Sequence, residues 1–89
     1  MFKLELEYKN EILFARLKGI LDRKASYKIN NYLNPVIKKH EIKNLVYNFE
    51  KLEMVDNSGI EALINSKYYI KCNKGAIKVC GVSNANLYL

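Results

Sequence analysis

The stretch LEMVDNSGIEAL, residues 52–63, decides how this 89-residue chain folds, because a strand pattern gives way to a helix pattern around it. Strand-forming residues end at Phe49, a short polar turn follows, and apolar residues then recur at helical spacing. The turn carries Ser58, with Gly59 directly after it. The pattern therefore predicts a strand-to-helix junction that places the Ser58 hydroxyl on the surface, within reach of another protein.

The first residues of this helix allow more than one arrangement. Ser58 and Glu61 form the Ser-x-x-Glu capping box, in which the serine side chain closes the start of a helix. A serine cap of this kind stabilises a helix by about 1 kcal/mol and needs no further role. Asp56 or Asn57 could equally be the cap, and Gly59 could serve only the turn. The residues alone leave these alternatives open.

Upstream of the junction the pattern predicts two strands and a helix. Residues 2–8 alternate apolar and charged side chains, and residues 9–11 form a hairpin turn into a second strand, 12–18. Pro35 predicts a kink or a break in the following helix, because proline lacks a backbone donor and clashes with the preceding turn. The apolar face of that helix is formed by Ala25, Ile29, Tyr32, Leu33, Val36 and Ile37.

Downstream, residues 45–49 are almost continuously apolar, which is typical of a strand covered on both faces. The second helix is expected from about Ser58 to Lys71, and residues 76–82 predict another buried strand. Ser83 could cap a third helix. The order β-β-α-β-α-β predicts one α/β domain over residues 1–89, a mixed sheet with helices packed on it. The apolar face of the second helix is formed by Ile60, Leu63, Ile64 and Tyr68.

Composition narrows the classes of partner. The net charge is +6, but the basic residues are mostly lysines spread along the chain, with arginine only at Arg16 and Arg23. Because arginine is the better reader of bases and phosphates, we expect no direct nucleic-acid binding. No apolar run reaches the roughly 18–20 residues that span a bilayer, and the N-terminus lacks a signal-peptide core. The sequence therefore predicts a cytoplasmic protein without membrane contact.

The residues that usually carry catalysis or bind metals are sparse. Cys72 and Cys80 match no common metal or redox spacing, and Cys80, within an apolar run, is expected to be a buried structural thiol. His40 is the only histidine, and nothing near it in sequence would orient it as a base. There is neither a Gly-x-Ser-x-Gly elbow nor a glycine-rich phosphate loop. We expect no enzyme, no cofactor and no metal site.

Three motifs together resemble one family, the STAS-domain anti-sigma factor antagonists. The segment from Val55 to Ile60 resembles the family's phosphoacceptor pattern, hydrophobic-Asp-Ser/Asn-Ser-Gly-hydrophobic. Gly19-Ile20-Leu21-Asp22 is similar to the family's Gly-x-Leu-Asp signature, and Lys74-Gly75-Ala76 ahead of an apolar strand matches the family layout. The resemblance runs from about Phe2 to Leu89.

The resemblance implies a switch. An antagonist of this family binds an anti-sigma factor that is also a serine kinase and releases a sigma factor, until the kinase phosphorylates the serine. Carried over to this chain, Ser58 is the phosphoacceptor, and a serine phosphatase is a further partner. Asp56, Asn57, Gly59 and Ile60 present the serine, and Asp22 in the neighbouring turn contributes to the docking surface.

The resemblance also leaves differences and alternatives. Family members continue with a closing strand and helix, which are missing here, so we expect a C-terminally short STAS-like sheet. An uncovered C-terminal region would favour self-association. Related domains serve in stress-signalling scaffolds and lipid-transport complexes, and either role is an alternative for this chain. A steep dependence of affinity on salt would identify nucleic-acid binding instead.

Overall fold

The computed structural model describes residues 1–82 and confirms the predicted order of elements, β-β-α-β-α-β. The predicted cap at Ser83 lies outside the described residues. The first helical region contains two short α-helices with a π-helical segment between them. The elements are β1 (Phe2–Lys9), β2 (Ile12–Leu21), α1 (Arg23–Lys28), the π-helical segment (Ile29–Leu33), α2 (Asn34–Lys39), β3 (Asn44–Val55), α3 (Asn57–Cys72) and β4 (Ala76–Cys80).

The strands form a mixed sheet, as predicted, and their order in the sheet is β1-β2-β3-β4. β1 and β2 are antiparallel, whereas β3 is parallel to both β2 and β4. The hairpin between β1 and β2 turns at Asn10 and Glu11, whose φ angles are 53° and 64°. Two central residues at positive φ are characteristic of the tight hairpin turn whose twist matches that of the strands.

The core lies between the helices and one face of the sheet. Alternate residues of β2 are buried, and the residues between them are half-buried or exposed, so the helices cover only one face. The helices contribute apolar side chains at three- and four-residue spacing. The core residues include Leu13, Ala15, Leu17 and Leu21 of β2, Leu45, Tyr47 and Phe49 of β3, and Ile29, Leu33, Ile37, Ala62, Leu63 and Ile70 of the helices.

β3 is longer than the sequence pattern indicated. It continues to Val55 instead of ending at Phe49, and only alternate residues of its apolar run are buried, so the prediction of burial on both faces was wrong. Its pairing with β2 is interrupted twice, between positions 48 and 51 and between positions 52 and 54. Each interruption adds one residue to β3, as a β-bulge does. The bulges interrupt the alternation of buried and exposed residues in 50–53, so the sequence pattern does not show that the strand continues.

The predicted kink or break at Pro35 takes a different form. The helical path is continuous from Arg23 to Lys39, but the turn before Pro35 is a π turn, in which the Asn34 N–H bonds to the Ile29 carbonyl. Proline in an α-helix clashes with the carbonyl four residues earlier. A wider π turn absorbs such a conflict locally, so the chain stays helical through the proline.

The predicted apolar face of α3 was wrong for half of its residues. Ile64 and Tyr68 are 58% and 63% exposed, and the buried face is displaced around the helix. Tyr32 on the first helical region is likewise exposed. The buried face of α3 contains small residues, which let the helix approach the sheet closely. Its buried residues are Gly59, Ala62, Leu63, Ser66 and Ile70.

β4 is an exposed edge strand within the described part of the chain, so the prediction of a buried strand was wrong. Of its five residues only Ile77 is half-buried. Cys72 and Cys80 are both exposed free thiols, which corrects the assignment of Cys80 to the core. β4 pairs with β3 through its backbone, and Ile77 is the one side chain of the strand that is half-buried. A short apolar run reads the same in sequence whether the strand lies at the edge or in the centre of a sheet.

Candidate functional site

The two strand-to-helix junctions lie side by side at one end of the sheet. Leu21, the last residue of β2, is paired with Val55, the last residue of β3. The chain leaves these strands through Asp22 and Asp56, and the Asp56 N–H donates to the Leu21 carbonyl at 3.1 Å. The carboxyl ends of parallel strands are the usual place for functional loops in α/β sheets. The structure therefore brings Asp22 next to the segment that contains Ser58.

Both aspartates cap the helices that follow them. The Oδ1 atom of Asp22 accepts from the Ala25 N–H, and that of Asp56 accepts from the Gly59 N–H, each at 2.9 Å. Both residues have the extended backbone expected of an N-cap. The capping-box interpretation of Ser58 was wrong, because Asp56 holds that position. Of the alternatives that the sequence left open, the structure selects Asp56.

Ser58 is the second residue of α3 and is half-buried at the edge of a groove. The groove runs between α3 on one side and α1 with the π-helical segment on the other, and it opens to solvent. The hydroxyl of Ser58 is therefore reachable, although it is less exposed than a loop tip would be. The lining residues that matter below are Arg23, Tyr27 and Asn30 on one side and Ser58, Glu61 and Ile64 on the other.

Gly59 allows the start of α3 to pack closely against the ends of β2 and β3. A Cβ atom at this position would lie 2.5 Å from the Leu21 carbonyl oxygen and 2.8 Å from Cγ1 of Val55. Real Cβ atoms do not approach backbone oxygen this closely, so only glycine fits without displacement of the helix. Gly59 is buried, whereas Asn57 is exposed and Ile60 is half-buried. Gly59 thus positions Ser58 from beneath, and Asn57 lies on the outer surface.

The groove also contains residues that the sequence had not singled out for function. Tyr27 and Ile64, which line it from opposite sides, are 64% and 58% exposed. Arg23 is the first residue of α1 and lines the same groove. Sequence reasoning assigned Ile64 to the core because its spacing fits an apolar stripe. The correct signal was the run of small residues at 59, 62 and 66, which identifies the packed face of α3.

A buried polar network runs from the core to this groove. The Tyr47 hydroxyl is 2.7 Å from Oγ of Ser66, which donates to Oδ1 of Asn34 at 2.5 Å. Nδ2 of Asn34 donates to Oδ1 of Asn30, as does Nδ2 of Asn65. Because Ser66 has one proton and gives it to Asn34, Tyr47 is the donor to Ser66. The network links β3, α2, α3 and the π-helical segment, and the Asn65–Asn30 bond connects the two walls of the groove.

Burial also perturbs the titration of the network. Removal from water raises the pKa of the Tyr47 phenol far above its ordinary value. The phenol is therefore a permanent donor at physiological pH. Within residues 1–82 no cluster of three histidine, cysteine or acidic side chains could hold a metal ion. In the same part of the chain, no helix has the length and apolar character needed to cross a membrane.

Comparison with known proteins relates this architecture to one family. The sequence profile of the STAS domain matches residues 3–86. The anti-sigma F factor antagonist of Paenibacillus polymyxa is 25% identical over 81 residues, which are 91% of this chain and 69% of the relative.

Two solved structures of an anti-sigma factor antagonist are similar in fold. The unphosphorylated form of SpoIIAA has a TM-score of 0.79 and 25% identity, and the match covers 94% of this chain and 76% of SpoIIAA. The phosphorylated form of SpoIIAA from Bacillus has a TM-score of 0.72 and 26% identity, with coverages of 86% and 68%. The predicted similarity of fold is therefore confirmed.

Proposed function

Because the chain belongs to the STAS domain family, we propose that it is an anti-sigma factor antagonist switched off by phosphorylation of Ser58. In its unphosphorylated form it binds an anti-sigma factor that is also a serine kinase, and this binding releases a sigma factor. One observation carries the proposal: Ser58 lies in a groove open to solvent at the start of α3, while Asp56 performs the capping that Ser58 could otherwise have been needed for. SpoIIAA, a relative of similar fold, has been solved in unphosphorylated and phosphorylated forms.

The surface around Ser58 has the character of a protein interface. We define the docking face as Ser58 with Arg23, Tyr27, Ile64 and Asn57. Tyrosine and arginine are enriched among the residues that dominate binding energy, and an exposed isoleucine beside them adds apolar contact area. Tyr27 and Ile64 line the groove from opposite walls, and both side chains are exposed. A partner that covers this face would bury Ser58 within the interface.

Phosphorylation would change binding without unfolding the protein. A phosphoserine adds about −1.5 to −2 charges. At the second residue of α3 the phosphate lies near backbone N–H groups that have no partner within the helix, and these tolerate an anion. At a tight interface the same dianion would be desolvated among groups arranged around a neutral hydroxyl. A penalty of about 3 kcal/mol weakens binding more than a hundredfold.

The remaining parts of the proposal concern partners and compartment. A serine phosphatase would reset the switch by hydrolysing the phosphate ester of Ser58. The proposed antagonist acts by binding and contributes no catalytic group, and it needs no cofactor of its own. Its net charge of +6 would speed association with an acidic partner surface. Because the kinase reaction consumes ATP, we propose that the switch operates in the cytoplasm.

The test is a pull-down from native lysate with Ser58→Ala and Ser58→Asp as baits. We expect an ATP-binding kinase of the anti-sigma type to be retained by the alanine form and lost from the aspartate form. Asn10→Asp is the matched control, because it adds the same charge in the hairpin at the opposite end of the sheet. Retention of the same partners by both Ser58 variants would overturn the switch and favour a scaffold or lipid-transport role.

A further inference from the structure

Arg23 and Ser58 line the same groove because of how the two junctions are joined. Leu21 pairs with Val55, and the Asp56 N–H bonds to the Leu21 carbonyl at 3.1 Å, so α1 and α3 begin side by side. Arg23 is the first residue of α1 and Ser58 the second residue of α3. Both side chains line the same groove.

The charge of the groove leaves Arg23 available for a new anion. Among the lining residues Arg23 is the only cation and Glu61 the only anion. The ion pairs within the described residues are Lys3–Glu5 and Arg16–Glu7, both on the sheet, and neither involves Arg23. The two neighbouring carboxylates, Asp22 and Asp56, already accept backbone hydrogen bonds as helix caps.

We propose that Arg23 binds the phosphate of phosphorylated Ser58 across this groove. The guanidinium group presents its N–H donors in a planar fork that fits two phosphate oxygens at once, a geometry that lysine lacks. The inference rests on the proposed function, since it concerns the phosphorylated state of Ser58. Phosphorylation would then alter the docking face twice, because it adds a dianion at Ser58 and draws Arg23 away from the partner.

The experiment installs phosphoserine at position 58 by genetic encoding, so that no kinase is needed, and follows the phosphate by ³¹P NMR from pH 4 to 8. An arginine beside the phosphate favours its dianion. We therefore expect Arg23→Gln to raise the second pKa of the phosphate by a few tenths of a unit, roughly the size expected for a partly exposed ion pair. Arg23→Lys should give an intermediate value.

Lys24→Gln is the matched control, because Lys24 is the next residue and carries the same charge, but it is not among the residues that line the groove with Ser58. It lines two neighbouring depressions, one of which it shares with Arg23. The phosphate of this variant should have the same second pKa as that of the wild type. Identical titration of wild type and Arg23→Gln would overturn the proposal, as would an equal shift in Lys24→Gln. Since the phosphate is installed directly, this result is independent of the pull-down, in which the failure of the switch itself would appear.

Discussion

Replacing Asp56 with alanine should destabilise the protein, whereas replacing Ser58 with alanine should not. Oδ1 of Asp56 accepts from the Gly59 N–H at 2.9 Å and caps the sixteen residues of α3. Loss of an N-cap costs about 1 kcal/mol, within a range of roughly 0.5–2. For a domain of this size that corresponds to a fall in Tm of about 4–8 °C. Ser58 is not the cap, so Ser58→Ala should remain within about 0.5 kcal/mol of the wild type.

The assay is urea unfolding followed by circular dichroism, with a thermal melt of each variant. Asp56→Asn is the control, because asparagine keeps a side-chain oxygen that can accept from the Gly59 N–H. We expect it to unfold close to the wild type. If Ser58→Ala proves as costly as Asp56→Ala, the assignment of the cap is refuted, and loss of partner binding in any Ser58 variant could no longer be separated from loss of α3.

Two further predictions follow from buried contacts. Gly59→Ala would place a Cβ atom 2.5 Å from the Leu21 carbonyl oxygen. Overpacking of this kind lowers the free energy of unfolding by about 1–3 kcal/mol. An unchanged midpoint of urea unfolding would contradict the close approach. Burial raises the pKa of Tyr47, so the folded state keeps a proton that the unfolded state loses above pH 10. That contribution to stability is complete below pH 10 and is lost above it, at up to about 1.4 kcal/mol per pH unit. The stability difference between wild type and Tyr47→Phe should therefore narrow from pH 9 to 11, and a constant difference would argue against burial of the phenol.

Sequence patterns were sufficient for the element order and for the meeting of the two junctions. The strands β1 and β2 could be predicted from the alternation of apolar and polar residues. The two junctions could be predicted from the Gly-x-Leu-Asp and Asp-Asn-Ser-Gly motifs, because turns and caps depend on neighbouring residues in the sequence. The choice between Asp56 and Ser58 as the cap did not follow from local chemistry. It depends on where β3 ends, and the bulges that extend β3 to Val55 are set by pairing with β2.

The packed face of α3 could not be read from hydrophobic spacing because close approach selects for small residues. Gly59, Ala62 and Ser66 face the sheet, and Ser66 is buried only because Tyr47 and Asn34 satisfy its hydroxyl. A hydrophobicity scale ranks isoleucine and tyrosine above serine, so the buried face that it predicts for α3 includes Ile64 and Tyr68 and leaves out Ser66. The error hid Ile64 from the site, although it lines the groove beside Ser58.

The paired bulges of β3 also govern which changes of chain length the site can tolerate. Buried positions on β3 pass from Phe49 to Leu52, so the first bulge reverses the inward and outward alternation. The second bulge reverses it again, and Val55 returns to the phase of Leu45 opposite Leu21. Each bulge takes up one extra residue of β3, and beyond it the pairing stays in phase with β2, with Leu52 opposite Gly19 and Val55 opposite Leu21. Removing one residue at a bulge would therefore leave a regular ladder, with Asp56 still at the end of the strand. The two bulges are thus the places where β3 can lose a single residue while Asp56 and Ser58 keep their positions beside Leu21.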